Sequence, residues 1–147
     1  MGAKQRERRS AKRGPGATGL RLRPTGKDTA MTHGTHEKTM SEAIDSALEC
    51  MRACEKCAFS CLEEKSVEML RECIRLNTAC ADICGLSARF MIRESRFHAQ
   101  ICQLCVEICE SCAMECDRHA DMAHCRDCAE ACRECAQACR EMIEAMV

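Results

Sequence analysis

From Ser41 onward the buried-type positions of this chain return at steps of three, four or seven residues, and most places between them are polar or charged. That is the seam of a heptad pattern, which puts every seam residue on one stripe of an α-helix. Cysteine holds the stripe where Leu or Ile would normally stand. The first run is Cys50, Cys54, Cys57 and Cys61, and the second is Cys73, Cys80 and Cys84, with Asn77 completing it. The third is Cys102, Cys105, Cys109, Cys112 and Cys116, and the fourth is Cys125, Cys128, Cys132, Cys135 and Cys139. Arg52, Glu55, Glu107, Arg126, Glu130, Arg133 and Glu134 lie off the stripes. The pattern predicts helices over 41–63, 66–93, 96–118 and 121–146. Thr39 and Glu42 have capping-box spacing for the first, and Asp121 is a candidate N-cap for the fourth. The break at 94–96 contains neither Gly nor Pro. It is placed there because an unbroken helix of about 50 residues would leave its cysteine face without a partner. Short links make neighbours antiparallel, so the expected fold is all-α, an antiparallel four-helix bundle with a cysteine-lined core.

Composition strengthens that picture. Cysteine supplies 17 of 147 residues, above the level at which a short chain is usually a thiol scaffold. Bulky core-formers are scarce: the only aromatics are Phe59, Phe90 and Phe97. Something other than large side chains must occupy the centre.

Residues 1–40 differ. They hold six of the seven Gly and both Pro, with no apolar period, and read as a disordered basic tail ahead of a bundle spanning 41–147. Met31 or Met40 could be the true start of translation. Residues 1–27 carry nine Lys/Arg and one Glu, whereas the remainder carries thirteen against twenty-two acidic residues. Such a basic arm can bind nucleic acid, but this one reads as a solvated extension, and no nucleic-acid partner is expected. No run is long enough to span a membrane. The basic start lacks the apolar stretch of an export signal. The expected compartment is the cytoplasm, which keeps thiols reduced and available to metal.

Seven pairs have C-x-x-x-C spacing: 50/54, 57/61, 80/84, 105/109, 112/116, 128/132 and 135/139. On a helix such sulfurs point the same way and can converge to roughly 4–5 Å, about twice a metal–sulfur bond of ~2.3 Å. Copper(I) is soft, favours thiolate and accepts two or three ligands, whereas zinc wants four. Charge sets the loading. Many thiolates in a dry core repel one another, and a lone Cu(I) between two still leaves −1. With thiolates bridging, neutrality arrives near one Cu(I) per thiol, so a filled interior is expected. The empty bundle should still fold, because a protonated Cys packs as a small hydrophobe, and loading should release protons.

Repeats such as Cys105-Val-Glu-Ile-Cys109-Glu-Ser-Cys112-Ala-Met-Glu-Cys116 and Cys128-Ala-Glu-Ala-Cys132-Arg-Glu-Cys135 resemble the bacterial copper storage proteins, in their cytosolic branch. The resemblance covers residues 41–147. It implies a four-helix bundle holding many Cu(I) ions on the cysteines named above, and association of bundles into a homotetramer. Asn77, standing where a further cysteine could go, would lower capacity slightly.

His98, four residues before Cys102, and His119, three after Cys116, continue the third stripe; Met122 begins the fourth. Imidazole and thioether accept Cu(I), so His119 and Met122, with nearby His124, suggest a door at one end. Met91, His98 and Met146, with Met40, gather at the other. His33 and His36 read as solvated tail residues.

Four other readings compete. An iron–sulfur carrier is suggested by C-x-x-C-x-x-x-C-x-x-C at 102–112 and 125–135, but no Pro follows and the ligands are not on loops. Zinc could be held in four-thiolate sites between helices. A disulfide-built or redox-sensing protein would leave one of seventeen thiols unpaired. Cysteine could also serve as packing alone. No phosphate loop or catalytic constellation is present, so no enzyme activity is expected.

Overall fold

The computed structural model describes residues 27–146, with side chains from residue 34 on. Four helices follow one another: α1 over Lys27–Leu62, α2 over Arg71–Ile92, α3 over His98–Asp117 and α4 over Ala123–Glu144. A 3₁₀ turn, Val67–Leu70, leads into α2. Each helix packs on its sequence neighbours, α1 also packs on α4, and the diagonal pairs do not meet. The helices therefore form a square ring around one central column, the all-α four-helix bundle that the heptad stripes call for.

The stripes face that column. In α1 the buried series is Met40, Ala43, Ala47, Cys50, Cys54, Cys57 and Cys61. In the 3₁₀ turn and α2 it is Leu70, Cys73, Asn77, Cys80, Cys84, Ser87 and Met91. All seventeen thiols are fully buried, while Phe59 is 67% exposed and Phe97 is 48% exposed. The core is thus made of sulfur and small side chains, and the rings lie outside it. Gly85 lets α1 and α2 come close, since a Cβ there would stand 3.1 Å from the Met51 sulfur. No helix among the described residues is long and apolar enough to cross a membrane.

Two boundaries differ from the sequence expectation. The helix expected from Ser41 begins at Lys27. The segment 27–40 has no Pro and one Gly, and adding turns to an existing helix costs far less than nucleating one. Thr39 is therefore interior, and its Oγ1 donates to the His36 carbonyl at 3.0 Å instead of capping. The expected disordered tail survives as an expectation only for residues 1–26, which lie outside the described residues. At α4 the N-cap position is Met122, with extended backbone and no side-chain cap bond, so Asp121 does not take that place.

The α2–α3 break falls as placed, at a corner without the usual residue. Glu94 has φ +50°, the left-handed region. Its N–H donates to the Met91 carbonyl at 3.0 Å, and the Ser95 N–H donates to Phe90 at 3.0 Å. This is a Schellman ending, normally built on Gly. A residue with a side chain holds that conformation at a cost of about 1–2 kcal/mol.

Candidate metal centre

Sulfur contacts fill the central column in two directions. Along the helices Cys50–Cys54, Cys57–Cys61 and Cys80–Cys84 each stand 3.9 Å apart, Cys105–Cys109 3.8 Å and Cys128–Cys132 4.0 Å. Across helices the approach is as close. Cys54–Cys128 and Cys80–Cys109 are 3.6 Å apart, Cys50–Cys132 and Cys84–Cys109 3.7 Å, and Cys73–Cys116 3.8 Å. All seventeen cysteines are free thiols.

These separations change the coordination argument. With a metal–sulfur bond of ~2.3 Å, sulfurs lie about 4.6 Å apart around a linear ion, about 4.0 Å around a trigonal one and about 3.8 Å around a tetrahedral one. The stripes face one another as closely as i and i+4 neighbours do. Isolated two-sulfur sites are therefore not the natural unit of this core. Sets of sulfurs within 4.8 Å of one another include Cys50/Cys54/Cys80/Cys132, Cys50/Cys84/Cys109/Cys135, Cys54/Cys112/Cys128/Cys132, Cys57/Cys61/Cys73/Cys125 and Cys57/Cys116/Cys128. The sets share members: Cys50, Cys54, Cys57, Cys128 and Cys132 each belong to two. A closed zinc site takes four thiolates for itself. Shared thiolates instead describe a continuous bridged array, which suits a soft ion of low charge.

Asn77 sits within this array with no exposed surface. Its Nδ2 donates to Cys73 at 3.6 Å. Its Oδ1 accepts from Cys112 and Cys128 at 3.2 Å and from Cys116 at 3.6 Å. The amide is satisfied by thiols of three helices, and its oxygen needs Cys112, Cys116 and Cys128 protonated.

At the end where α1 and α3 finish, His124 reaches the column. Its Nδ1 lies 3.5 Å from the sulfurs of Cys57 and Cys125 and 3.9 Å from Cys61. Its Nε2 donates to Glu64 at 3.1 Å. A carboxylate on one ring nitrogen leaves the other free as a ligand, the arrangement found behind most metal-binding histidines. His119, expected to take this role, pairs through Nε2 with Glu115 at 3.2 Å. Met122 is half-buried against the core. The seam pattern undervalued His124 because it is one residue before Cys125 and so off the stripe. Its place in the first turn of α4 lets the ring reach the thiols.

At the opposite end His98 is 8% exposed. Its Nδ1 donates to the Ser95 carbonyl at 2.5 Å, and its Nε2 is buried without a hydrogen-bond partner among the described residues.

Burial pushes the Cys61 thiol up from 9.0 to about 11, helped by the charge of neighbouring Cys73, and burial raises Cys125 likewise. A thiol whose value is raised by folding stabilises the fold while it stays protonated, fully so below 9.0, and the contribution is lost as the pH climbs toward 11. The copper-free bundle should therefore lose thermal stability over that window, and the loaded bundle, whose thiolates already carry metal, should not. Melting curves at stepped pH check this; equal alkaline loss in both forms contradicts it.

The family described as copper storage protein matches residues 36–144. Among solved structures, the Cu(I)-bound copper storage protein BsCsp3 of Bacillus subtilis is similar at 45% identity, covering 71% of this chain and 98% of that one, with a TM-score of 0.68. The cytosolic copper storage protein of Streptomyces lividans, with five coppers, is similar at 40% identity, covering 76% and 97%, with a TM-score of 0.73. A curated relative, the uncharacterized cysteine-rich protein YhjQ of Bacillus subtilis strain 168, is 45% identical over 69 residues, 47% of this chain. The match spans 64% of that relative's length.

Proposed function

The chain belongs to the copper storage protein family, and from that membership we propose that its bundle takes up Cu(I) as cargo and holds many ions along the column. One observation carries the reading: seventeen fully buried free thiols, most of them in overlapping sets. The ligands proposed are the seventeen cysteines, bridging between ions so that total charge approaches zero near one Cu(I) per thiol. The related Streptomyces protein loaded with 10 copper equivalents supports multiple occupancy. Storage needs no catalytic group, and the chain is proposed to be no enzyme. Its proposed setting is the cytoplasm, as for the Streptomyces relative. Exposed Phe59, Met69 and Met114 on the outer faces support association of bundles into a homotetramer. Metal analysis of protein purified from copper-supplemented cells tests the function: several copper atoms per chain support it, and zinc in their place overturns it.

The door is proposed at His124, with His119 and Met122 beside it. His124 offers a bare nitrogen to Cys57, Cys61 and Cys125, so an ion can pass from imidazole to thiolate without returning to water. Replacing His124 with Ala should slow copper loading and removal by about tenfold, the lower end of what losing an oriented ligand contributes. Capacity should fall by at most one ion. Stopped-flow transfer to a chelator measures this, and unchanged rates would remove the door.

A further inference from the structure

The α2 stripe carries two polar residues, Asn77 and Ser87, and both are fully buried. Asn77 is matched by thiols at both ends of its amide. Ser87 is not: its Oγ is buried without a hydrogen-bond partner among the described residues. A buried hydroxyl left unmatched destabilises the fold, and a helical serine or threonine has a ready remedy, donation to the carbonyl four residues back. Thr78 donates in this way to Ile74 at 2.9 Å and Ser111 to Glu107 at 3.0 Å. Ser87 does not, so its hydroxyl stays available to the column.

The register of the helices sets what lies level with it. Cys73 faces Cys116, Cys80 faces Cys109 and Cys84 faces Cys105. Numbers rise on α2 as they fall on α3, so the next stripe position, Ser87, comes level with Cys102. On α4, Cys132 stands against Cys80 and Cys135 against Cys84, which brings Cys139 to the same level. From α1 the buried residues there are Ala43 and Ala47. The level of Cys80 is richer, because Cys50, Cys109 and Cys132 surround it, one thiol from each helix.

Charge gives the hydroxyl a task. An ion at the level of Ser87 meets thiols from α3 and α4 alone, and Cu(I) between two thiolates keeps a charge of −1. In a dry core that charge needs a donor. A serine hydroxyl supplies one hydrogen, and a neutral thiol is a weak acceptor for it. A thiolate is a strong one, since bonds to ionised groups are about twice as strong as neutral ones. The bond therefore forms when the thiol proton leaves to solvent and the sulfur–copper bond replaces it.

We propose that Ser87 is a positioning residue for the copper held between Cys102 and Cys139: its Oγ–H donates to the Cys102 thiolate and offsets the charge that two thiolates leave. The assignment rests on the copper storage reading and gives one level of the column its own means of balancing charge. The two polar residues of the α2 stripe then divide the work. Asn77 accepts from protonated thiols and serves the empty column, whereas Ser87 donates to a thiolate and serves the loaded one.

Ser87→Ala in the full chain tests this through two readouts that move in opposite directions. Urea unfolding of the copper-free protein should show equal or greater stability, because an unmatched hydroxyl is gone. Anaerobic chelator competition should show one ion per chain held about tenfold more weakly, the lower end of what a hydrogen bond to a charged group contributes. A merely structural serine would give the reverse, a less stable copper-free form with copper held as before. Ser87→Cys, close in size, should raise saturation by about one Cu(I) per chain, because the position faces Cys102 and Cys139. Unchanged copper affinity or a loss of copper-free stability in Ser87→Ala would overturn the proposal, as would unchanged capacity in Ser87→Cys, and each would leave storage standing. Absence of thiolate–copper absorption in the unaltered chain would instead strike storage itself.

Discussion

Loading with copper should raise the unfolding midpoint of this bundle by more than about 20 °C, given shifts of some 2–8 °C per kcal/mol for domains of this size range. The column explains why. Its sulfur sets draw members from different helices, as in Cys50/Cys54/Cys80/Cys132 from α1, α2 and α4. Each bridged ion therefore ties helices that otherwise meet mainly through thiols and small side chains. An ion held a thousandfold more tightly than its free concentration contributes about 4.1 kcal/mol to the folded state. A few such ions exceed the whole stability of an ordinary domain, about 5–15 kcal/mol. The copper-free form should nonetheless be helical, because protonated thiols pack as small apolar groups and the charged outer faces do not depend on metal. Circular dichroism melts of both forms measure the difference. An unfolded copper-free chain, or equal midpoints, would contradict this account of the core.

The second large effect is expected at Asn77. Replacing it with Ala opens a hole among three helices and removes the acceptor for Cys112, Cys116 and Cys128. The copper-free protein should lose about 2–3 kcal/mol, as for buried large-to-small changes. Asn77→Cys fills most of the space and adds an eighteenth thiol among Cys73, Cys112, Cys116 and Cys128. It should cost less stability and raise capacity by about one Cu(I) per chain. Urea unfolding gives the first quantity and chelator competition the second. Unchanged capacity in Asn77→Cys would mean that the bridged array does not run through this position.

How much of this was legible beforehand follows from what each signal depends on. The stripes depend only on spacing, so four helices, their order and the burial of every cysteine could be read directly. The α2–α3 corner carries no Gly because Glu94 accepts the left-handed conformation; only the need to pair the cysteine faces located it. The start of α1 was misplaced because Thr39 and Glu42 mimic a cap, whereas the helix runs back to Lys27. His124 was undervalued because seam position cannot describe how a ring leans in the first turn of a helix. His36, read as a solvated tail residue, has its Nδ1 buried beside Met40 and Met91. Spacing within one helix also pointed to two-coordinate pairs. Interhelical sulfur distances of 3.6–3.8 Å, which no single-helix rule supplies, replace the pair with the shared set.

The central claim is that the column is filled, with thiolates bridging between Cu(I) ions until charge is neutral. Anaerobic titration with Cu(I) against a competing chelator tests it most directly. The account predicts tight binding that saturates near one ion per cysteine, about seventeen per chain, with roughly one proton released for each thiolate engaged. Saturation at one to four ions per chain would contradict it.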